Sequence, residues 1–217
     1  MERPFIVGVS GKKRHGKDTV GQTLNMSRGF MQTAFADPLK IMAMDLFWLT
    51  YDQCYGGVGL DGKVVDRELV DPRWGLSPRQ ILQLLGTEVG RNVHTEVWVR
   101  NTLKHIEDAF AGREVNFHYQ SLRTFRPVTF NKGHAARWCI TDCRFPNEAE
   151  AVKAAGGIVV KVHRPGLGES GDSHASETSV DLVEEDHLLI NDGTLEDLQA
   201  QVLALPFLQH RSAQVDL

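Results

Sequence analysis

"PFIVGVSGKKRHGKDTV", residues 4–20, decides how the rest of the chain reads. Phe5, Ile6, Val7 and Val9 make a short apolar run, rich in β-branched residues and ending at a glycine, which reads as a strand buried on both faces. Gly11, Gly16 and Lys17 then match the phosphate-loop pattern G-x-x-x-x-G-K-[ST] up to its last position. There Asp18 stands where a magnesium-binding hydroxyl is expected, and Thr19 follows one step late. From Asp18 to about Met26 the residues suit a helix, so the order is strand, glycine loop, helix. In that order successive backbone N–H groups and a positive helix end hold phosphate oxygens without requiring a particular side chain. A nucleotide site is therefore expected, against the alternative of a structural turn.

The same alternation continues outward. "MQTAFA", residues 31–36, is a second short strand before Asp37-Pro38, where Asp37 is placed to cap a helix over 38–49. Residues 51–75, rich in glycine and aspartate, read as a loop with short helical pieces, long enough to suggest a functional excursion. Ser77 and Pro78 open a helix that places Ile81, Leu84, Leu85 and Val89 on one side, with Arg79, Gln83 and Arg91 projecting from neighbouring positions. Residues 95–110 form another amphipathic helix with Val97, Leu103, Ile106 and Phe110 as its core stripe and Trp98 beside it. Residues 112–135 lack a helical period and read as an inserted hairpin or mobile loop.

"RWCITD" is a strand ending in Asp142, 146–156 a helix, "GIVVKVH" a strand, 164–179 a polar mobile segment, "DHLLIND" a last strand, and 194–205 a last helix. Five strands alternating with helices imply an α/β fold: a mainly parallel five-stranded sheet covered on both faces, with ligands at the carboxyl ends of the strands. Asp37, Asp142, Arg164 and Asn191 all fall at or just beyond such ends.

Composition narrows the partners. At 217 residues, 41% hydrophobic and 24% charged, the chain has ordinary globular values and room for one substantial core. A formal net charge of −4 gives no general attraction to nucleic acid or to an anionic membrane, so neither is expected as a partner, and phosphate binding must come from a local site. No apolar run approaches the ~20 residues of a membrane span, and the N-terminus enters a strand without the layout of a signal peptide, so a cytoplasmic location is expected. Cys54, Cys139 and Cys143 cannot all pair, and no second ligand pair follows the last two; buried or incidental thiols are expected rather than a metal site.

Phosphoryl transfer requires donor and acceptor oxygens to be aligned and developing charge to be neutralised, so cations are its signature. The candidates are Lys12, Lys13, Arg14, Lys17, Arg79, Arg91, Arg144 and Arg164. Lys17 is placed to reach the β- and γ-phosphates of a donor. Asp142, closing an apolar strand, suits a carboxylate that orients hydrated magnesium, with a helix cap ahead of Pro146 as the competing reading. Arg144 offers a planar donor fork for phosphate, with a surface ion pair as its alternative. Lys12 and Lys13 read equally well as solvated loop surface, His15 reads more readily as a loop filler than as a base, and Trp98 more readily as core than as a base-stacking ring. His174 and Glu177, three apart, suit a lid element better than a metal site, because no H-E-x-x-H pattern is present.

Taken together, "SGKKRHGKDT", "FADPLK", "RQILQLLGTEVGR" followed by "VW", "ITDCRFPNEAEAV", "VVKVHRPG", "DSHASE" and "INDGTLEDL" resemble the deoxynucleoside monophosphate kinases of tailed bacteriophages. The resemblance covers most of the chain except the segments near 51–75 and 112–135 and the C-terminal tail. It implies a single three-layer α/β/α P-loop kinase domain over 1–217, with an acceptor-binding insertion at about 38–111, the hairpin or loop insert at about 112–135 and a lid-like segment at about 164–186. It also implies transfer of the γ-phosphate of ATP, with Mg2+, to a deoxynucleoside monophosphate such as dTMP or dGMP, by a homodimer in the cytoplasm of an infected cell.

Carried onto matching positions, Gly11, Lys13, Arg14, His15, Gly16, Lys17, Asp18 and Thr19 would hold the donor phosphates. Arg164 would open the lid, and Asn191 with Gly193 would lie near the adenine. Lys12, Asp37, Lys40, Arg79, Gln83, Arg91 and Trp98 would serve the acceptor, Arg144 would bridge both phosphates, and Lys17, Arg144 and Asp142 would be catalytic. "GKDT" belongs to the family's own pattern, so Asp18 departs only from the general phosphate-loop rule. With Asp142 it is the expected magnesium carboxylate, against the alternative that it balances Lys17 and caps the helix. Rival readings are a kinase of dephospho-coenzyme A or phosphomevalonate, against which "RQILQLLGTE" and "DCRFPNE" speak, and a non-catalytic nucleotide-binding regulatory module.

Overall fold

Six consecutive buried residues, Phe5–Ser10, form β1 in the computed structural model of the chain, which describes residues 3–59, 62–167 and 178–209. Parallel neighbours β5 (Arg137–Cys143) and β6 (Ile158–His163) flank it. Outside them lie β2 (Met31–Thr33) and β7 (His187–Ile190), giving the order β2-β5-β1-β6-β7 with every pairing parallel. These are the five strands expected from the apolar runs.

Their helices cover both faces because successive strand residues point to opposite sides. Val7 and Val9 pack with Val20 and Leu24 of α1 (Lys17–Arg28) and with Leu198 and Val202 of α7 (Leu195–Leu203). On the opposite face Gly8 lies against Val152 of α6 (Pro146–Ala154), which completes a three-layer α/β/α arrangement. Burying each such Val or Leu contributes roughly 1.5–3 kcal/mol. Cys139 and Cys143 are buried free thiols in this unit, and Cys54 is a third elsewhere, as the cysteine spacing suggested. His174 and Glu177 lie outside the described residues.

A second compact unit spans Phe35–Phe130. It holds α2 (Asp37–Phe47), α3 (Tyr51–Tyr55), α4 (Pro78–Gln83), α5 (Val97–Phe110) and an antiparallel pair, β3 (Glu114–Tyr119) with β4 (Thr124–Thr129). Thr50 and Ser77 each cap a helix by accepting the N–H of a glutamine three residues on, and the glutamine side chain accepts the capping residue's own N–H in return. Asp37 does not cap α2: it is the first residue of the helix, Ala36 stands at the cap position, and the carboxylate is taken by a tyrosine described below.

The apolar stripe read into 79–93 is corrected by the winding of the chain. Past Gln83 the helix continues as a π-helix over Leu84–Arg91, whose i→i+5 pairing rotates the later residues away from the face that a 3.6-residue period assigns them. Ile81 and Leu85 are buried, but Leu84 and Val89 are 43% and 52% exposed. The wider turn makes a seat for Trp98, which belongs to the buried stripe of α5 (Trp98, Val99, Thr102, Ile106, Ala109) rather than lying beside it. The indole Nε1 donates to the Gly86 carbonyl at 2.8 Å.

A Cβ on Gly90 would come within 2.3 Å of Trp98 Cζ2. Gly90→Ala should therefore destabilise the protein by about 1–3 kcal/mol despite alanine's better helix propensity. A lowered urea midpoint checks this, and a midpoint equal to or above the wild type contradicts the tight seat.

Candidate active site

The loop after β1 is held rigidly by its neighbours. Gly16 closes it in a left-handed conformation at φ 109°, with Asn191 Nδ2 only 2.8 Å and Leu198 Cδ2 3.0 Å from where a Cβ would sit. Asn191 explains that closeness: its side chain donates to the His15 carbonyl at 2.9 Å, while its backbone N–H donates to the His163 carbonyl at 2.7 Å. It thus ties the glycine loop to the end of β6. Imidazole Nδ1 of His15 lies 3.3 Å from both the Val162 carbonyl and the Arg164 N–H, donating to one or accepting from the other according to its tautomer. Burial, with help from His163, Lys17 and Lys12, lowers its pKa and keeps the ring neutral.

Immediately after Gly16, α1 begins with no side-chain cap, so its first-turn N–H groups and the positive end of its dipole face the loop. Lys17 Nζ folds back to donate to the Lys12 carbonyl at 2.8 Å, and Lys12 Nζ pairs with Asp181 at 2.9 Å. Lys13, Arg14 and Asp18 are exposed, Arg14 with a positive φ of 66°. Arg14, Gly16, Lys17, Asp18, Thr19, Arg164, Asn191 and Gly193 come together around one cleft of about 390 Å³, with Thr194, Leu195 and Leu198 completing its wall. Gly11, Lys13 and His15 belong to the same loop but not to that wall.

Asp142 lies at the other edge of the loop. The register of β1 against β5 runs Gly8 to Ile140 and then jumps to Ser10 opposite Cys143, which puts Asp142 in the irregularity beside the start of the loop. The N–H groups of Arg144 and Phe145 at the start of α6 are taken by buried Glu148, at 2.7 and 3.1 Å, so Glu148 supplies the cap that was one reading of Asp142. Ser10, overlooked in the sequence, ends β1 with a fully buried Oγ that makes no hydrogen bond among the described residues. Leaving such a group unsatisfied costs about 1–3 kcal/mol.

The second unit contains a separate polar cluster. Asp37, 6% exposed, accepts from Tyr55 Oη at 2.6 Å and lies 3.9 Å from Lys40 Nζ and 3.8 Å from His118 Nδ1. Lys40 Nζ sits 3.8 Å above the Tyr55 ring, a cation–π contact. Arg79 approaches Glu68 at 3.4 Å, Arg91 donates to the Thr95 carbonyl at 3.3 Å, and Gln83 ends α4 half-buried. Trp98 is buried with its N–H taken by Gly86, which leaves its ring in the core.

The deoxynucleotide monophosphate kinase family matches residues 63–202, more than half of the chain. The chain belongs to that family. A protein of Acanthamoeba polyphaga mimivirus, provisionally named a deoxynucleotide monophosphate kinase, is 32% identical over 92% of this chain and 94% of its own length. The deoxynucleotide monophosphate kinases of Enterobacteria phage T4 and Escherichia phage RB69 are 27% and 23% identical, each over 91% of this chain and 96% and 97% of theirs.

As a member of a kinase family the protein is a phosphotransferase, and the uncapped helix behind its glycine loop is the element suited to a phosphate chain. No helix among the described residues is long and apolar enough to cross a membrane. The bracing of the loop generates a direct test. Asn191→Ala removes both side-chain restraints on Gly16 and the His15 carbonyl, and should weaken binding of a fluorescent adenine nucleotide by about tenfold, the worth of a buried hydrogen bond. Affinity within twofold of the wild type refutes the bracing role.

Proposed function

We propose that the protein transfers the γ-phosphate of ATP to a deoxynucleoside monophosphate such as dTMP or dGMP, giving the diphosphate and ADP for viral DNA precursor synthesis. The observation that carries the reading is the glycine loop and uncapped α1 N-terminus, opening on a cleft of nucleotide size, in a chain of this kinase family. Backbone N–H groups from Gly11 to Thr19 hold the donor phosphates. Lys17, released from the Lys12 carbonyl, neutralises charge on the transferring group. Arg14, Arg164, Asn191 and Gly193 flank the nucleoside end, and Arg144 contributes its planar fork to phosphate. Asp37, Lys40, Arg79, Gln83 and Arg91 serve the acceptor.

Asp18 and Asp142 are the carboxylates that would hold magnesium, one exposed at the first turn of α1 and one beside the orphaned hydroxyl of Ser10 at the loop's start. The ion keeps several waters and accepts few protein ligands, so a sparse pair of carboxylates suits it, and when bound it supplies charge neutralisation at the phosphate oxygens. A homodimer acting in the cytoplasm of an infected cell completes the reading, on the resemblance to phage enzymes.

Three tests follow the residues. A coupled ADP-release assay across deoxynucleoside monophosphates, dephospho-coenzyme A and phosphomevalonate should show turnover of at least one deoxynucleotide and neither of the others; the absence of deoxynucleotide turnover sinks the proposal. Lys17→Ala should lower kcat by roughly 10²–10³-fold with the circular dichroism unchanged, in line with loss of one cation from a phosphoryl-transfer site. Asp18→Asn and Asp142→Asn should each raise the magnesium concentration for half-maximal rate by about tenfold. An unaltered magnesium dependence removes that residue from the metal role.

A further inference from the structure

The β3–β4 hairpin brings one side chain into the Asp37 cluster from far along the chain. His118 of β3 is 8% exposed, its ring stacks on Phe125 of β4 (4.6 Å between centroids, 15° between planes), and it packs against Tyr55 at 4.5 Å. Its Nε2 lies 2.8 Å from Tyr51 Oη and its Nδ1 faces Asp37 Oδ2 at 3.8 Å. Tyr51 and Tyr55 stack on each other at 4.4 Å on α3.

The donors in this cluster point one way. A neutral imidazole that accepts the Tyr51 hydroxyl proton at Nε2 carries its own proton at Nδ1, directed at Asp37. Tyr55 donates to the other carboxylate oxygen, and Lys40 stands beside it. Tyr55 of α3 thus donates to Asp37, while Lys40 of α2 and His118 of β3 flank the same carboxylate at 3.9 and 3.8 Å.

A layer that needed only to pack would be served as well by phenylalanine at 118, since buried polar chains seldom stabilise a fold over an apolar replacement of the same shape. We propose that His118 is a positioning residue for the acceptor nucleotide, fixing the orientation of Asp37 through the Tyr51–His118–Asp37 chain, so that the hairpin is a working part of the acceptor side. This rests on the proposed deoxynucleoside monophosphate kinase activity and on Asp37 and Lys40 serving the acceptor. It gives residues 112–135 a function that their sequence did not disclose.

The deciding experiment is steady-state kinetics of the full chain with ATP and the best deoxynucleoside monophosphate. His118→Phe keeps the stacking surface on Phe125 and Tyr55 but removes both ring nitrogens. It should raise KM for the monophosphate about tenfold while leaving KM for ATP within twofold and the melting temperature unchanged or higher. Tyr51→Phe, at the half-exposed outer end of the chain, should raise the same KM about threefold and serves if His118→Phe does not fold.

The double variant should be no worse than His118→Phe alone, because both substitutions cut one chain. A monophosphate KM within twofold of the wild type in either single variant, or equal rises in both KM values, overturns the positioning role. Failure of the wild-type protein to phosphorylate any deoxynucleotide instead overturns the kinase reading on which it stands.

Discussion

A loop that grips phosphate with its backbone must itself be gripped, because N–H groups that swing freely lose in ordering entropy what they gain in hydrogen bonding. Here the grip is the carboxamide of Asn191. Its N–H groups reach the His15 carbonyl and, through the main chain, the His163 carbonyl, so β6, β7 and the glycine loop are tied at one point. Gly16 must be glycine on two counts: its φ of 109° and the absence of space for a Cβ beside that carboxamide. The start of α1 is set by the same contact, since α1 begins at the next residue. Sheet, loop and helix dipole thus share one anchor, contributed by a residue 175 positions after the loop's closing glycine.

The glycine loop concentrates positive charge on a chain that is negative as a whole. Lys12, Lys13, Arg14 and Lys17 fall within six residues, and a charged His15 among them would add a fifth cation. Burial prevents that. A depressed imidazole pKa means that the unfolded chain binds the proton better than the folded one, so the folded state meets no penalty above about pH 6.5 and loses stability as the pH falls through that value. His105 and His118 in the second unit are shifted the same way by burial, with the charge of Asp37 pulling against it. Each unit therefore holds buried histidines favouring the neutral form: His15 beside the Val162 carbonyl and the Arg164 N–H in one, and His118 beside Tyr51 and Asp37 in the other.

What could be read from the sequence was what short-range physics encodes. β-branched runs gave the five strands, glycine spacing gave the loop, and the cap at Ser77 follows from local side-chain reach. Winding escaped it: a 3.6-residue period cannot foresee that residues 84–91 turn wider, and so it assigned Leu84 and Val89 to a core they do not join. Contacts over long separations escaped as well. Asp37 looked like a helix cap because Tyr55 and His118 were invisible as its neighbours, and Ser10 passed unnoticed because its missing hydrogen bond shows only in three dimensions.

The departure at Asp18 gains a physical reason from this geometry. In the common form of the motif a hydroxyl after the lysine binds the metal, and a neutral group adds no charge to a helix end already attracting anions. A carboxylate there competes with the phosphate for the same positive end, a cost acceptable only where cations are in excess. Four cationic side chains in residues 12–17 provide that excess. An acidic residue also suits magnesium held through water, because its charge acts across a hydration shell where a hydroxyl's lone pair does not. The basic residues 12–17 and the acidic first turn of α1 thus stand side by side at the glycine loop.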